Sequence, residues 1–191
     1  LSCEAILCLS TSSRPSECSP SIKKYFSISY DDWSDTVKAR GDFLKLCPVG
    51  NAAEQDNTFT DLRDNILPFT DPRQCTADYL NQQVEIKGAN PYNGDSFYLS
   101  ENAYRINPTT HSQCNKLYNH AYTDIKKPTY NCSGEFYSEV EWNMSAKLVA
   151  IPRSEYNKLS NKDRHQIDYS EGEGYTIYYK TQSDINMYKK E

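Results

Sequence analysis

Apolar residues recur three and four positions apart through the first part of the chain, with polar breaks between the runs. Residues 3–9 are apolar on nearly every side. So short a stretch cannot cross a bilayer, which takes about 20 residues, and it suits a core plug. Residues 10–16 form a polar break around Arg14-Pro15. A second helix starts at Cys18, where Ser19 can cap and Pro20 fits the first helical position because its missing N–H would be unpaired there anyway. Ile22, Tyr25 and Phe26 carry that helix to about Ile28. Asp31 or Asp32 can cap a third helix with the stripe Trp33, Val37, Leu44 and Cys47, which Pro48 and Gly50 stop. After a polar linker at 50–58, Phe59, Leu62 and Ile66 predict a fourth helix ended by Pro68. Asp71-Pro72 then opens a short helix through Cys75, Tyr79 and Leu80 to Gln82.

The periodicity weakens over 84–108, where Asn90-Pro91, Asn93-Gly94-Asp95 and Asn107-Pro108 mark turns. A long, poorly ordered loop tethered by Phe97-Tyr98-Leu99 is the expectation there. Cys114, Leu117, Tyr118, Ala121 and Ile125 restore helical spacing and predict a helix near 111–126, stopped by Pro128, with 129–132 extended. Ser138 and Glu141 match a capping box ahead of Trp142. Residues 147–151 read as a strand and 154–159 as a helical turn. A β-hairpin near 165–180 is signalled by β-branched and tyrosine residues on both sides of a glycine turn. The charged tail at 183–191 reads as loose.

The fold class expected is mainly helical α+β: a disulfide-stapled N-terminal helical bundle, then a Tyr-rich part with one more helix and a small antiparallel β portion. The domains expected are a Cys-rich bundle over 1–68 and an α+β portion over 69–191, with one continuous domain as the alternative.

Seven cysteines stand in a chain of 191 residues that is 37% hydrophobic, and so polar a chain builds a thin core that cross-links would support. The ends of the short helices favour Cys8–Cys18 and Cys3–Cys47, one of three connectivities open to those four residues. Cys114 and Cys132 bracket a helix and its return segment and form the preferred third pair, leaving Cys75 odd; Cys75–Cys114 and Cys75–Cys132 are the alternatives. This cysteine usage fits an oxidising compartment, the periplasm or cell exterior, better than the cytosol. Residue 1 is leucine, consistent with a trimmed chain from which a signal peptide has gone. The net charge is −5 with acidic and basic residues interspersed, so no basic stripe supports a nucleic-acid partner. No apolar run is long enough for a stable membrane span.

Two islands carry a resemblance. CEAILCLSTSSRPSECSPSIKKYFSI at 3–28 with WSDTVKARGDFLKLCP at 33–48 closely resembles the opening of the TrbM/KikA family of conjugal transfer proteins. CNKLYNHAYTDIKKPTYNCSGEFYS at 114–138 is similar to that family's central segment, and RSEYNKLS at 153–160 is a weaker match. The resemblance implies a periplasmic accessory of plasmid conjugation, acting with protein partners of the type IV secretion and mating-pair apparatus. A non-catalytic binding or scaffold role is expected, with Tyr118, Tyr122, Tyr130 and Tyr137 as contact residues. Packing between the helical and β portions is the plain use of the same tyrosines.

His120 and Asp124 lie four apart on the expected helix, where they can meet, but no G-x-S-x-G nucleophile accompanies them. His111, Cys114 and His120 do not complete a four-ligand metal set, and no metal or other cofactor is expected. Glu135, Glu139, Glu141, Glu171 and Glu173 could supply paired acids for glycan cleavage, yet they fall on polar ground that reads as solvated. A cell-wall enzyme and a secreted effector or toxin are the alternative functions.

Overall fold

The computed structural model describes residues 1–88, 102–131, 133–170, 172–182 and 187–189. The fold is α+β and mainly helical, with small antiparallel sheets, and it divides into two compact units. One comprises Leu1–Leu80 with Thr109–Thr129, the other Asn81–Pro108 with Tyr130–Lys189. The division therefore falls after Leu80 rather than at 68, and the helix-bearing segment from Thr109 belongs with the N-terminal bundle.

In the first unit, α1 (Ser2–Ser10), α2 (Cys18–Phe26) and α3 (Trp33–Lys45) occupy the expected places. The side chain of Asp32 caps α3 by accepting from Ser34 N–H. The linker at 50–58 is partly helical: α4 spans Asn51–Glu54, and Asp56 caps α5 (Asn57–Asp61) through the N–H groups of Thr58 and Phe59. The fourth helix is shorter than its stripe. It passes into a π-helical turn at Leu62–Ile66 and a 3₁₀ turn at Leu67–Phe69 that holds Pro68. Asp71-Pro72 opens a 3₁₀ turn, Pro72–Cys75, and α6 covers Ala77–Leu80. The core joins Ala5, Ile6 and Leu9 of α1 to Tyr25, Leu44, Leu62, Ile66, Leu67, Leu117 and Ile125. Each such leucine or isoleucine withdrawn from water contributes about 1.5–3 kcal/mol before entropy is counted. Tyr25 is fully buried, and its hydroxyl donates to Leu67 O at 2.7 Å. Burial pushes its ionisation well above the ordinary tyrosine value, so it acts only as a donor here.

Three disulfides staple this unit: Cys3–Cys47, Cys8–Cys18 and Cys75–Cys114. The third replaces the preferred Cys114–Cys132 pair, and Cys75 is not the odd cysteine. The cause is local. α7 covers only Ser112–Tyr118, and the Pro72–Cys75 turn packs beside it. Tyr118 there donates its hydroxyl to Cys75 O at 2.6 Å, and the Cα atoms of Cys75 and Cys114 stand 5.5 Å apart. Cys132 lies outside the described residues.

In the second unit, β1 (Val84–Lys87) pairs antiparallel with β2 (Ala103–Ile106), whose other edge takes β4 (Tyr137–Ser138). The expected long loop over 84–108 thus begins and ends in strands, and residues 89–101 lie outside the described set. β3 (Thr129–Tyr130) pairs with β8 (Tyr188–Lys189). Tyr188, in a tail expected to be loose, is buried and donates to Asn107 O. α8 (Glu139–Met144) starts at the capping box of Ser138 and Glu141 and ends at Ser145 in the left-handed region, φ 54°. The last sheet has the order β5–β7–β6, built from Lys147–Ala150, Tyr175–Gln182 and Arg164–Tyr169. In the β6–β7 hairpin Tyr169 faces Tyr175 and Ile167 faces Ile177, and Gly174 turns the chain at φ 58°. α9 (Arg153–Tyr156) lies against β7, with Tyr156 on Tyr178.

Candidate functional site, an arginine in an aromatic groove

The buried row of α3 is Thr36, Arg40 and Leu44, at spacings of four, not the expected row through Trp33 and Val37. Thr36 fixes this rotation: its hydroxyl bonds Asp32 O and accepts from Tyr30 N–H at 2.8 Å. Trp33 is thereby turned outward and is 56% exposed. Arg40 is turned in and is only 7% exposed. Its Nε donates to Ile28 O at 3.1 Å, and its guanidinium carbon lies 5.2, 5.3 and 5.6 Å from the ring centroids of Tyr25, Phe26 and Trp33.

A second arginine shows how this chain normally treats such a charge. Arg63, 5% exposed, is held by Glu54 at 2.6 Å and Asp64 at 2.7 Å. Those bonds raise its pKa further above the usual value and pull that of Asp64 below the usual carboxylate range. Arg40 has no carboxylate within 4 Å among the described residues. A buried charge without a counter-ion is costly, and the surrounding ring faces offset only part of that cost.

Arg40 opens into a cavity of about 410 Å³ whose walls include Phe26, Trp33, Phe69, Arg73, His111 and Gln113. Arg73 stacks 3.7 Å over Phe26 and grips Asp71 through Nε and Nη2, which neutralises the one carboxylate at this wall. Gln113 also lines the groove, and its Oε1 is a buried side-chain acceptor without a hydrogen-bond donor among the described residues. The site therefore offers a fork of donors, an empty acceptor and flat apolar faces.

The contact residues expected from sequence separate. Tyr118 and Tyr122 lie in the first unit, Tyr130 and Tyr137 in the second. Tyr137 is buried, packed near Trp142, so its exposure was misjudged: it is a packing residue. Tyr118 and Tyr130 are half-buried, with hydroxyls on Cys75 O and Ile106 O. Only Tyr122 is exposed, and its hydroxyl is given to Asp56, whose pKa that bond lowers.

The His120–Asp124 pair does not form, because α7 ends at Tyr118. His120 accepts from Tyr122 N–H at Nδ1 and meets Thr58 O through Nε2. Asp124 instead accepts from Ser12 N–H at 2.6 Å and from the Thr11 hydroxyl, fastening the segment after α1. The Ser12 amide is the chief reason its carboxyl stays below the usual aspartate range. Asp124 borders a cavity of about 530 Å³ that Arg14 and Lys126 also line, so the lining is mixed in charge. An ionised aspartate whose two oxygens each already accept a hydrogen bond is a poor general acid.

Glu141 is buried, contrary to the solvated reading, and accepts from Ser138 N–H and Leu148 N–H as a structural cap. Glu135, Glu139 and Glu173 are exposed, and Glu171 lies outside the described residues. Cys114, considered with His111 and His120 as a metal ligand, is consumed by its disulfide. Among the described residues no three His, Cys, Asp or Glu side chains cluster as a metal requires, and no helix is long and apolar enough to cross a membrane.

The sequence reading missed Arg40, Arg73 and Gln113 as site residues. A signal existed for the first: an arginine exactly four from both Thr36 and Leu44 falls on the buried face once Thr36 is taken as its anchor.

In comparison with known proteins, the TrbM family model matches residues 1–156, a span that includes every residue named in the groove. No curated protein matches, and no solved structure matches.

Proposed function

The chain belongs to the TrbM family and is a conjugal-transfer protein, and from that premise we propose that it is a non-catalytic accessory of mating-pair formation that docks a protein of the type IV secretion apparatus in the groove beneath Trp33. The observation that carries this reading is a solvent-facing tryptophan beside an arginine that has no carboxylate partner among the described residues. Trp and Arg dominate the energetics of protein interfaces, especially where a pocket keeps water out. The periplasm is the working compartment in this reading: three disulfides suit an oxidising space.

The test is co-purification of the tagged chain from donor cells carrying the whole transfer system, with wild type and Trp33→Ala side by side. Losing an exposed ring leaves the fold intact, so the variant is expected to be exported at normal level and to lose a transfer-apparatus protein that wild type retains. Identical partners for both would refute the assignment of the groove. Recovery of the chain in the cytosol with free thiols would refute the compartment.

A further inference from the structure

We propose that the groove takes a peptide-borne carboxylate, with Arg40 holding the carboxylate and Gln113 accepting an N–H of the same peptide. This rests on the docking reading above and names the chemistry of its ligand.

Three observations converge. Arg40 is more than nine-tenths buried, lines the cavity and has no carboxylate within 4 Å among the described residues, whereas the equally buried Arg63 has two. A guanidinium presents a planar fork that matches a carboxylate in two parallel bonds; here Nε is spent on Ile28 O, and the terminal nitrogens have no hydrogen-bond partner among the described residues. Gln113, which lines the same cavity, has a buried Oε1 that lacks a donor among the described residues. An inorganic anion answers the first need and leaves the second unmet. A peptide answers both, since its amide N–H lies within a few bonds of a side-chain or terminal carboxylate. The exposed faces of Trp33 and Phe69 add room for an apolar neighbour in that peptide.

The full chain, ¹⁵N-labelled, gives two indole N–H signals, from Trp33 and Trp142, which Trp33→Phe assigns. Three capped probes are titrated: Ac-Ala-Phe-Glu-NH₂, Ac-Ala-Phe with a free terminal carboxylate, and the neutral Ac-Ala-Phe-NH₂. At least one carboxylate probe is expected to shift Trp33 and not Trp142, with a Kd about tenfold or more below that of the neutral peptide, as a charge-assisted bond supplies. Which of the two binds tells an acidic side chain from a chain end. Gln113→Met keeps the volume and removes the acceptor. It is expected to weaken the peptide severalfold while leaving Tm unchanged or raised, because it relieves a buried unpaired oxygen. Arg40→Lys is expected to lose most of the preference for the carboxylate; if it does not fold, Gln113→Met decides the question.

The proposal is overturned if the neutral probe binds as well as the charged ones, if no probe moves Trp33 at millimolar concentration, if inorganic phosphate produces the same shift, or if Gln113→Met leaves affinity unchanged. Any of these together with a Trp33→Ala defect in co-purification would leave docking intact and remove only the carboxylate.

Discussion

Opening the Cys75–Cys114 bridge is the perturbation whose cost follows most directly from the fold. The bridge closes 39 residues, and the chain-entropy relation assigns such a loop about 4 kcal/mol at 25 °C. Both sulfurs are almost fully buried, so alanine at the two positions also forfeits packing, about 1 kcal/mol more. The Cys8–Cys18 bridge closes a separation of only 10, for which the same relation gives about 3 kcal/mol. A domain of this kind has about 5–15 kcal/mol in total, so the Cys75→Ala/Cys114→Ala pair should remove a large part of it. Urea unfolding under non-reducing conditions, followed by circular dichroism at the helical minimum, measures both double variants against wild type. The expectation is a lower midpoint for each, with the Cys75/Cys114 pair the worse by about 1 kcal/mol or more. A loss below about 1 kcal/mol there would refute the argument that this staple restrains the unfolded chain.

Other outcomes follow from particular side chains. With six of the seven cysteines in bridges, alkylation of the denatured, unreduced chain should label one thiol, on the peptide carrying Cys132; a label on Cys75 or Cys114 would contradict the third bridge. Glu141→Ala leaves the N–H groups of Ser138 and Leu148 without their acceptor and should cost about 1–3 kcal/mol by urea unfolding, whereas Glu141→Gln should recover part of it. Asp124 has a folded-state pKa below the usual aspartate value, so its contribution is complete above about pH 4 and is lost as the pH falls through the folded value. Asp124→Asn should therefore destabilise the chain at neutral pH and make little difference near pH 2; an equal deficit at both would contradict the bonds to Ser12 and Thr11.

How much of this was legible beforehand varied with the range of the interaction. α1, α2 and α3, the capping box and the β6–β7 hairpin are set by contacts within a few residues, and each showed in the spacing of apolar residues. The cap expected from Ser19 does not form, because α2 already starts at Cys18 with Glu17 at its N-cap. The end of α7 was not legible. Ala121 and Ile125 extend the apolar period, but the chain leaves the helix at Asn119 and Asp124 goes to Ser12, more than a hundred residues away. The groove was hidden for a related reason. Composition ranks arginine as a surface residue and tryptophan as core, and here a hydrogen bond from Tyr30 N–H to Thr36 rotates α3 so that the two exchange places. Of the four tyrosines expected as contact residues, only Tyr122 is exposed. Tyr118 and Tyr130 are half-buried and Tyr188 is buried, and their hydroxyls close on backbone carbonyls.

Plasmid transfer frequency from donors whose own copy of this chain carries Trp33→Ala measures the docking role in the cell. With the variant exported and oxidised as wild type, a fall of about tenfold or more is predicted, the scale of losing one interface anchor. Transfer at the wild-type frequency would contradict the assignment of this groove as the working surface of the protein.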